Sequence, residues 1–167
     1  NDRGQTIAPR VVESLFDMVP GIKRTFLAGD GRSYNTLLIV PDNEDEVLRV
    51  APDEDAHRAY FEQIITLANP GLVAYERVVN FAILPRDFSV EKGELTAKGT
   101  YKRKVIARNF ADVIASLYRG NATVLTVGGF EVRIPLWFFR DLGVLEDAIL
   151  ATDTGLSNKD DDRFLRI

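Results

Sequence analysis

The chain has 167 residues, 46% apolar and 28% charged, with a formal net charge of −4; this predicts a soluble globular chain of one domain, or one domain with an appendage, and argues against a dedicated nucleic-acid binder. The absence of cysteine and the single histidine exclude disulfides, thiol nucleophiles, zinc–thiolate sites and multi-histidine metal sites. No apolar run approaches the roughly 20 residues that a membrane-spanning helix needs, and no basic stretch followed by an apolar one opens the chain, so a cytoplasmic location with no targeting or transmembrane segment is the expectation.

In chain order, residues 4–9 read as a loop entering a helix with Pro9 near its first turn. Val12, Leu15, Phe16 and Val19 then repeat at helical spacing until Pro20-Gly21 stops them. Residues 22–28 and 34–40 are β-rich runs joined by a turn in which Gly29 and Gly31 can take positive φ, which predicts a hairpin. A helix over 56–67 is expected to carry Tyr60, Ile64 and Leu67 on one face and to end at Asn69-Pro70-Gly71, with a short second helix over about 72–78. Residues 81–84 form a short apolar strand closed by Pro85, and 88–95 read as two extended pieces around a Lys92-Gly93 turn.

The stretch 101–118 has the strongest helical pattern, because Val105, Phe110, Val113, Ile114 and Leu117 form a stripe while Lys102, Arg103 and Arg108 lie largely elsewhere; Gly120 supplies the stop. A second hairpin follows, 123–127 and 130–134 around Gly128-Gly129, then a short helix over 135–142 ending at Gly143. Trp137, Phe138 and Phe139 are expected to pack this tail on the body, and Asp160-Asp161-Asp162 reads as linker. The fold class is therefore α+β: a small mixed or antiparallel sheet with a hairpin, flanked by helices, plus a C-terminal hairpin-and-helix extension. The expected division is 1–120 for the main domain and 121–167 for the extension, whose role the sequence does not assign.

Charge is polarised. Residues 42–55 hold seven acids against Arg49, whereas 86–108 hold seven basic residues against Asp87, Glu91 and Glu94. Either run by itself describes a solvated face. The acids lack the glycine and terminal glutamate spacing of a calcium loop, His57 has no serine or cysteine partner and reads as a surface histidine, and no aromatic platform accompanies Arg103-Lys104 for nucleic-acid binding.

The basic run has a specific form. In residues 94–108 a Lys-Gly-Thr turn feeds directly into the amphipathic helix, which places mobile positive charge where it can face phosphate. Together with Gly29-Asp30-Gly31-Arg32 and Tyr75-Glu76-Arg77 followed by Phe81, this resembles the C-terminal lid domain of AMP-forming acyl-CoA synthetases, nearest the long-chain fatty acid branch, over residues 4–118. Gly4-Gln5-Thr6-Ile7-Ala8-Pro9 and then Val12-Glu13 resemble that family's loop and helix after the hinge, which makes Gly4 a candidate for close backbone passage in the thioester-forming orientation. The Gly29 turn and the Tyr75 segment are implied to be scaffold, with Glu76 and Arg77 orienting the next strand.

The resemblance implies the chemistry. ATP and a carboxylate give an acyl-adenylate and pyrophosphate; the lid then rotates for transfer to coenzyme A, with magnesium accompanying ATP. A lysine in a Ser-Gly-Lys, hydrophobic, any, Arg motif neutralises charge at the α-phosphate. Laid on Lys98-Gly99-Thr100-Tyr101-Lys102-Arg103, the glycine matches Gly99 and the arginine matches Arg103, but Thr100 holds the lysine position. Three readings follow: Lys98 reaches the phosphate from two residues upstream, Lys102 does so, or the adenylation role is altered or lost. The implied binding set is Gly4, Gly99, Thr100, Lys102 and Arg103, with Lys98 as catalytic candidate. The implied partners are the acyl substrate, coenzyme A and a large adenylation domain upstream of Asn1 with the hinge, so the isolated chain is expected to be inactive. A non-catalytic interaction or regulatory module that keeps the lid fold is the alternative, and Thr100 favours it.

Overall fold

The computed structural model describes residues 4–119, 122–142 and Leu145. The expectations at Gly120, at Gly143 and at Asp160-Asp161-Asp162 lie outside the described residues. Two strands, β1 (Ile22–Ala28) and β2 (Asn35–Pro41), form the expected antiparallel hairpin, in register at Thr25↔Ile39 and Leu27↔Leu37. The chain then crosses through α2 (Glu46–Arg49) and α3 (Glu54–Ala68) and returns as β3 (Val78–Ile83), parallel to β2. The sheet is thus mixed, in the order β1-β2-β3.

The central strand explains the layering. Six of seven β2 residues are buried, and with period-2 alternation Leu37 and Ile39 enter one core while Leu38 and Val40 enter the other. The first core holds Val12 and Phe16 after α1 (Pro9–Ser14) begins, Leu48, Phe61, Ile65 and Phe81. The second holds Phe26, Leu84, Phe88, Leu95, Ile106, Phe110 and Leu117, supplied partly by α4 (Arg103–Asn109) and α5 (Ala111–Leu117). Beyond these, β4 (Ala122–Val127) and β5 (Phe130–Pro135) pair as the expected second hairpin, and α6 (Leu136–Leu142) follows. Phe139 is fully buried with Tyr34, Val79 and Ile134, and Phe138 packs at their margin, as the aromatic run predicts. The Trp137 side chain lies outside what is described.

The acidic stretch proves to be capping chemistry. Asp45 accepts from Val47 N at 3.0 Å and Asp53 from Ala56 N at 2.9 Å, and Glu46, Glu54 and Asp55 sit in first turns, where negative charge offsets the helix dipole.

Several elements depart from the sequence reading for local reasons. The first helix ends at Ser14, whose hydroxyl bonds back to Val11 O at 2.8 Å, and hydrogen-bonded turns continue to Met18, so Leu15 is exposed rather than core. In α3 the buried pair is Phe61 and Ile65; Leu67 is 71% exposed. A 3-10 turn at Asn69–Gly71 follows α3, and in place of the expected helix over 72–78 there is a second short 3-10 turn at Ala74–Glu76 and the start of β3. Asn69 explains this, because its amide pairs with both main-chain groups of Val78, at 2.9 and 3.0 Å, and holds the chain extended into β3. The 101–118 helix is broken at Phe110 (φ −108°, ψ 21°), where Asn109 reaches to Glu94 at 3.0 Å and the Phe110 ring is buried. Gly93 turns at φ +71° as expected, but without extended arms on both sides: Leu95 bridges forward to Tyr101. His57 is half-buried, with Nε2 2.9 Å from Leu48 O, and so links α3 to α2 instead of standing in solvent.

Gly31 has the anticipated positive φ of +66°, whereas Gly29 is constrained by space. A Cβ there would lie 2.1 Å from Asn35 Oδ1, and that amide also donates to Tyr75 O at 2.9 Å, tying the hairpin to the segment before β3. Gly29→Ala is therefore expected to lower stability by about 1–3 kcal/mol through overpacking. Gly71→Ala, where nothing lies within 4 Å, should stay within about 0.5 kcal/mol of wild type. Urea unfolding of both variants checks this, and equal midpoints would contradict it.

Candidate functional site

The Lys-Gly-Thr turn is a tight loop closed by its own backbone. Thr96 N donates to Thr100 O at 2.9 Å, Gly99 N to Thr96 O at 2.9 Å, and Thr100 N to Thr96 Oγ1 at 3.0 Å. Lys102 N closes the base on Glu94 O at 2.8 Å. Gly99 takes φ +84°, a region that side chains resist, which is why glycine suits the tip. Lys98, Gly99, Thr100 and Lys102 are all exposed, and among the described residues no ion pair engages Lys98. The loop therefore combines a fixed backbone with free positive charge.

Two buried carboxylates flank it, and neither was singled out as a site residue from sequence. Glu94, fully buried at the loop's base, takes a bidentate pair from Arg86 (2.7 and 2.9 Å), the Asn109 amide (3.0 Å) and Ser89 N (2.9 Å). The Arg86 hydrogen bond outweighs desolvation and holds the carboxyl at about 2, below the usual carboxylate range. Arg86 also lies 4.6 Å from the Phe110 ring centroid, so the break between α4 and α5 is part of the same assembly.

Glu13, fully buried on α1, accepts from Leu27 N at 2.8 Å through Oε2 and from Arg103 through Oε1. The Arg103 guanidinium lies 5.1 Å from the Phe26 ring centroid and 5.6 Å from that of Tyr101. Tyr101 in turn donates to Thr25 O at 2.9 Å, and burial pushes its hydroxyl pKa up. A cleft of about 730 Å³ opens alongside, between the 4–7 loop, β1, the Gly29 turn and the α4–α5 face.

The predicted site residues thus fall in two places. Lys98, Gly99, Thr100 and Lys102 share the projecting loop; Gly4 and Arg103 line the cleft, which the other four do not. Gly4 has φ +75° with open space around a Cβ position, so its conformation, not a tight neighbour, favours glycine. Of the scaffold pair, Arg77 donates to Asn69 O and Leu72 O at 3.2 Å and to the α6 carbonyls of Arg140 and Asp141 at 3.2 and 3.0 Å. Glu76 makes no side-chain hydrogen bond among the described residues.

Glu94 makes stability depend on pH. Its pKa falls from roughly 4.3 in an unfolded chain to about 2 in the fold, so its contribution is complete above the unfolded value and is lost as pH falls toward the folded one. The contribution is on the order of 2–3 kcal/mol. The stability gap between wild type and Glu94→Gln should accordingly narrow by about 1–2 kcal/mol from pH 6 to pH 3 in denaturant unfolding. A gap independent of pH would contradict this.

With this geometry established, comparison with known proteins is informative. Residues 2–122 match the profile of the family described as AMP-binding enzyme C-terminal domain. The chain is 31% identical over 129 residues to the long-chain-fatty-acid–CoA ligase FadD15 of Mycobacterium tuberculosis, covering 69% of this chain and 21% of that protein. It is 27% identical over 130 residues to the long-chain-fatty-acid–CoA ligase 5 of Rattus norvegicus, covering 70% and 19%. The chain therefore spans about a fifth of the length of the curated relatives it matches. Among solved structures, the adenylation domain of a carboxylate reductase from Mycobacterium chelonae superposes with a TM-score of 0.62 at 24% identity, over 71% of this chain and 19% of that one. The AMP complex of the A-PCP didomain of a carboxylic acid reductase from Segniliparus rugosus gives 0.59 at 24%, over 70% and 16%. The likeness at this identity concerns the fold, which agrees with the α+β architecture and the mixed sheet found here. By its sequence match over 2–122, the chain belongs to the AMP-binding enzyme C-terminal domain family.

Proposed function

We propose that this chain is the moving C-terminal domain of an ATP-dependent, AMP-forming ligase that activates long-chain fatty acids, and that its 96–100 loop serves the adenylation step. The observation that carries the proposal is the loop itself: exposed, stiffened by backbone hydrogen bonds, anchored on a buried carboxylate, and bearing Lys98 without an ion-pair partner among the described residues. Family membership and the names of the relatives support the substrate class. In this proposal residues 1–120 form the lid, residues 121–167 are an extension, and the protein works in the cytoplasm.

The proposed sequence has two steps. A carboxylate oxygen attacks the α-phosphorus of ATP, forming the acyl-adenylate as the bond to pyrophosphate breaks. The thiol of coenzyme A then attacks the acyl carbonyl and expels AMP, giving up its proton. Charge grows at the α-phosphate only in the first step, and a loop lysine stabilises it there as a preorganised point charge. Lys98 fills this role, because Thr100 can donate a hydrogen bond but carries no charge. Gly4, in the loop that precedes α1, serves the transfer orientation, and Gly99, Lys102 and Arg103 support phosphate binding. Magnesium enters the proposal as the ion carried by ATP. The nucleotide and acyl pockets belong to the partner N-terminal domain, and without it this domain is inactive.

A second reading has an observation of its own. Thr100 at the family's lysine position favours a domain that keeps the fold as an interaction or regulatory module.

The experiment is made in the full-length protein carrying this domain. Lys98→Ala should lower acyl-adenylate formation by about 10²- to 10³-fold, by analogy with loss of one oxyanion donor, while transfer from preformed acyl-adenylate is spared. Adding Thr100→Lys to that variant should restore part of the rate. A change below about threefold in adenylation, under 1 kcal/mol, would remove Lys98 from the mechanism and favour the second reading.

A further inference from the structure

We infer that Glu13 is a positioning residue for the 96–102 loop, acting through Arg103. The inference rests on the ligase reading for its catalytic consequence but not for its geometry. Strand β1 is an edge of the sheet, and two of its outward-facing backbone groups are taken by side chains: Leu27 N–H by the Glu13 carboxylate and Thr25 C=O by the Tyr101 hydroxyl. Tyr101 and Arg103 are the residues on which the loop turns into α4. Glu13 holds the second through its other oxygen.

The carboxylate therefore bridges three elements, α1, the β1 edge and the start of α4, and it does so from a fully buried position. Arg103, about one third exposed, is enclosed by Glu13 and by the rings of Phe26 and Tyr101. Its planar fork is fixed from several sides, and a lysine there would keep the charge but lose the fork. Removing the carboxylate charge frees Arg103 to turn to solvent and loosens the clamp at that end of the loop, while the Glu94 cage at the other end is untouched. A small shift of Lys98 follows, and displacements of about 1 Å can cost on the order of 10²-fold in rate. Because Glu13 sits on the helix that follows the Gly4 loop, the same bridge makes the two loops one rigid body during lid rotation.

Glu13→Gln and Arg103→Lys in the full-length protein test this, with hydrogen exchange by mass spectrometry and ATP–pyrophosphate exchange as readouts. Glu13→Gln should accelerate exchange about tenfold or more over residues 96–103 and leave residues 78–84 within about twofold, which global destabilisation would not do. It should lower kcat for pyrophosphate exchange about tenfold or more, with KM for ATP within about twofold. Arg103→Lys should shift both in the same direction by less. Unchanged exchange over 96–103, or equal acceleration in both segments, would overturn the inference. If wild type itself shows no pyrophosphate exchange with fatty acids, the ligase reading fails, and the hydrogen-exchange comparison alone decides the positioning claim. If Glu13→Gln does not fold, hydrogen exchange of Arg103→Lys over 96–103 against 78–84 decides it, since pyrophosphate exchange also reads the part of Arg103 in phosphate binding.

Discussion

A buried carboxylate held by a guanidinium fork organises this domain. Glu94 has no access to water, so its charge is tolerable only because Arg86, Asn109 and Ser89 N satisfy it. Its partners come from the segment after β3, the turn before the loop and the end of α4. One residue thus ties together three of the segments around the loop, and its own carbonyl closes the loop's base through Lys102 N. The exposed tip is ordered because its base is buried.

The sheet supplies the frame for that arrangement. Alternation in β2 sends Leu37 and Ile39 to the core under α1 and α3, and Leu38 and Val40 to the core under α4 and α5. The loop belongs to the second layer, yet it is anchored to the first through Glu13, whose helix packs Val12, and the turn after it Phe16, on the opposite face. Contacts that wrap around the β1 edge therefore connect layers that the sheet would otherwise keep apart. They also occupy backbone groups that a bare edge strand would present to other chains.

Much of this was legible in the sequence where the signal is local. The β1–β2 hairpin, α3, the second hairpin and the Gly99 turn follow from glycine, capping and periodicity signals within a few residues. What was missed depends on contacts across the chain. Asn69 reaching Val78 leaves one 3-10 turn and an earlier strand where a helix is expected, and Asn109 reaching Glu94 accompanies the break in the 101–118 helix. Phe61 and Ile65, not Leu67, face the core because the sheet decides which side of α3 is buried. The site shows the same division. The loop residues were readable as a motif, whereas Glu13 and Glu94 look like ordinary surface acids until residues 14 or 8 positions away in the chain are brought beside them. For Glu13 the available signal was the Val12-Glu13 pair of the resemblance, which marks the position without revealing its partners; for Glu94 it was only an acid beside the core residue Leu95.

Thr100 contributes its own N–H to the loop by donating to Thr96 Oγ1, and the loop's scaffold depends on Glu94 remaining ionised. The most direct measurement is an NMR titration of the Glu94 side-chain carboxyl carbon in the folded protein. A midpoint near the value of about 2 is expected. A midpoint near the ordinary glutamate value of roughly 4.3 would mean that the Arg86–Asn109–Ser89 cage does not hold the charge, and would contradict the account.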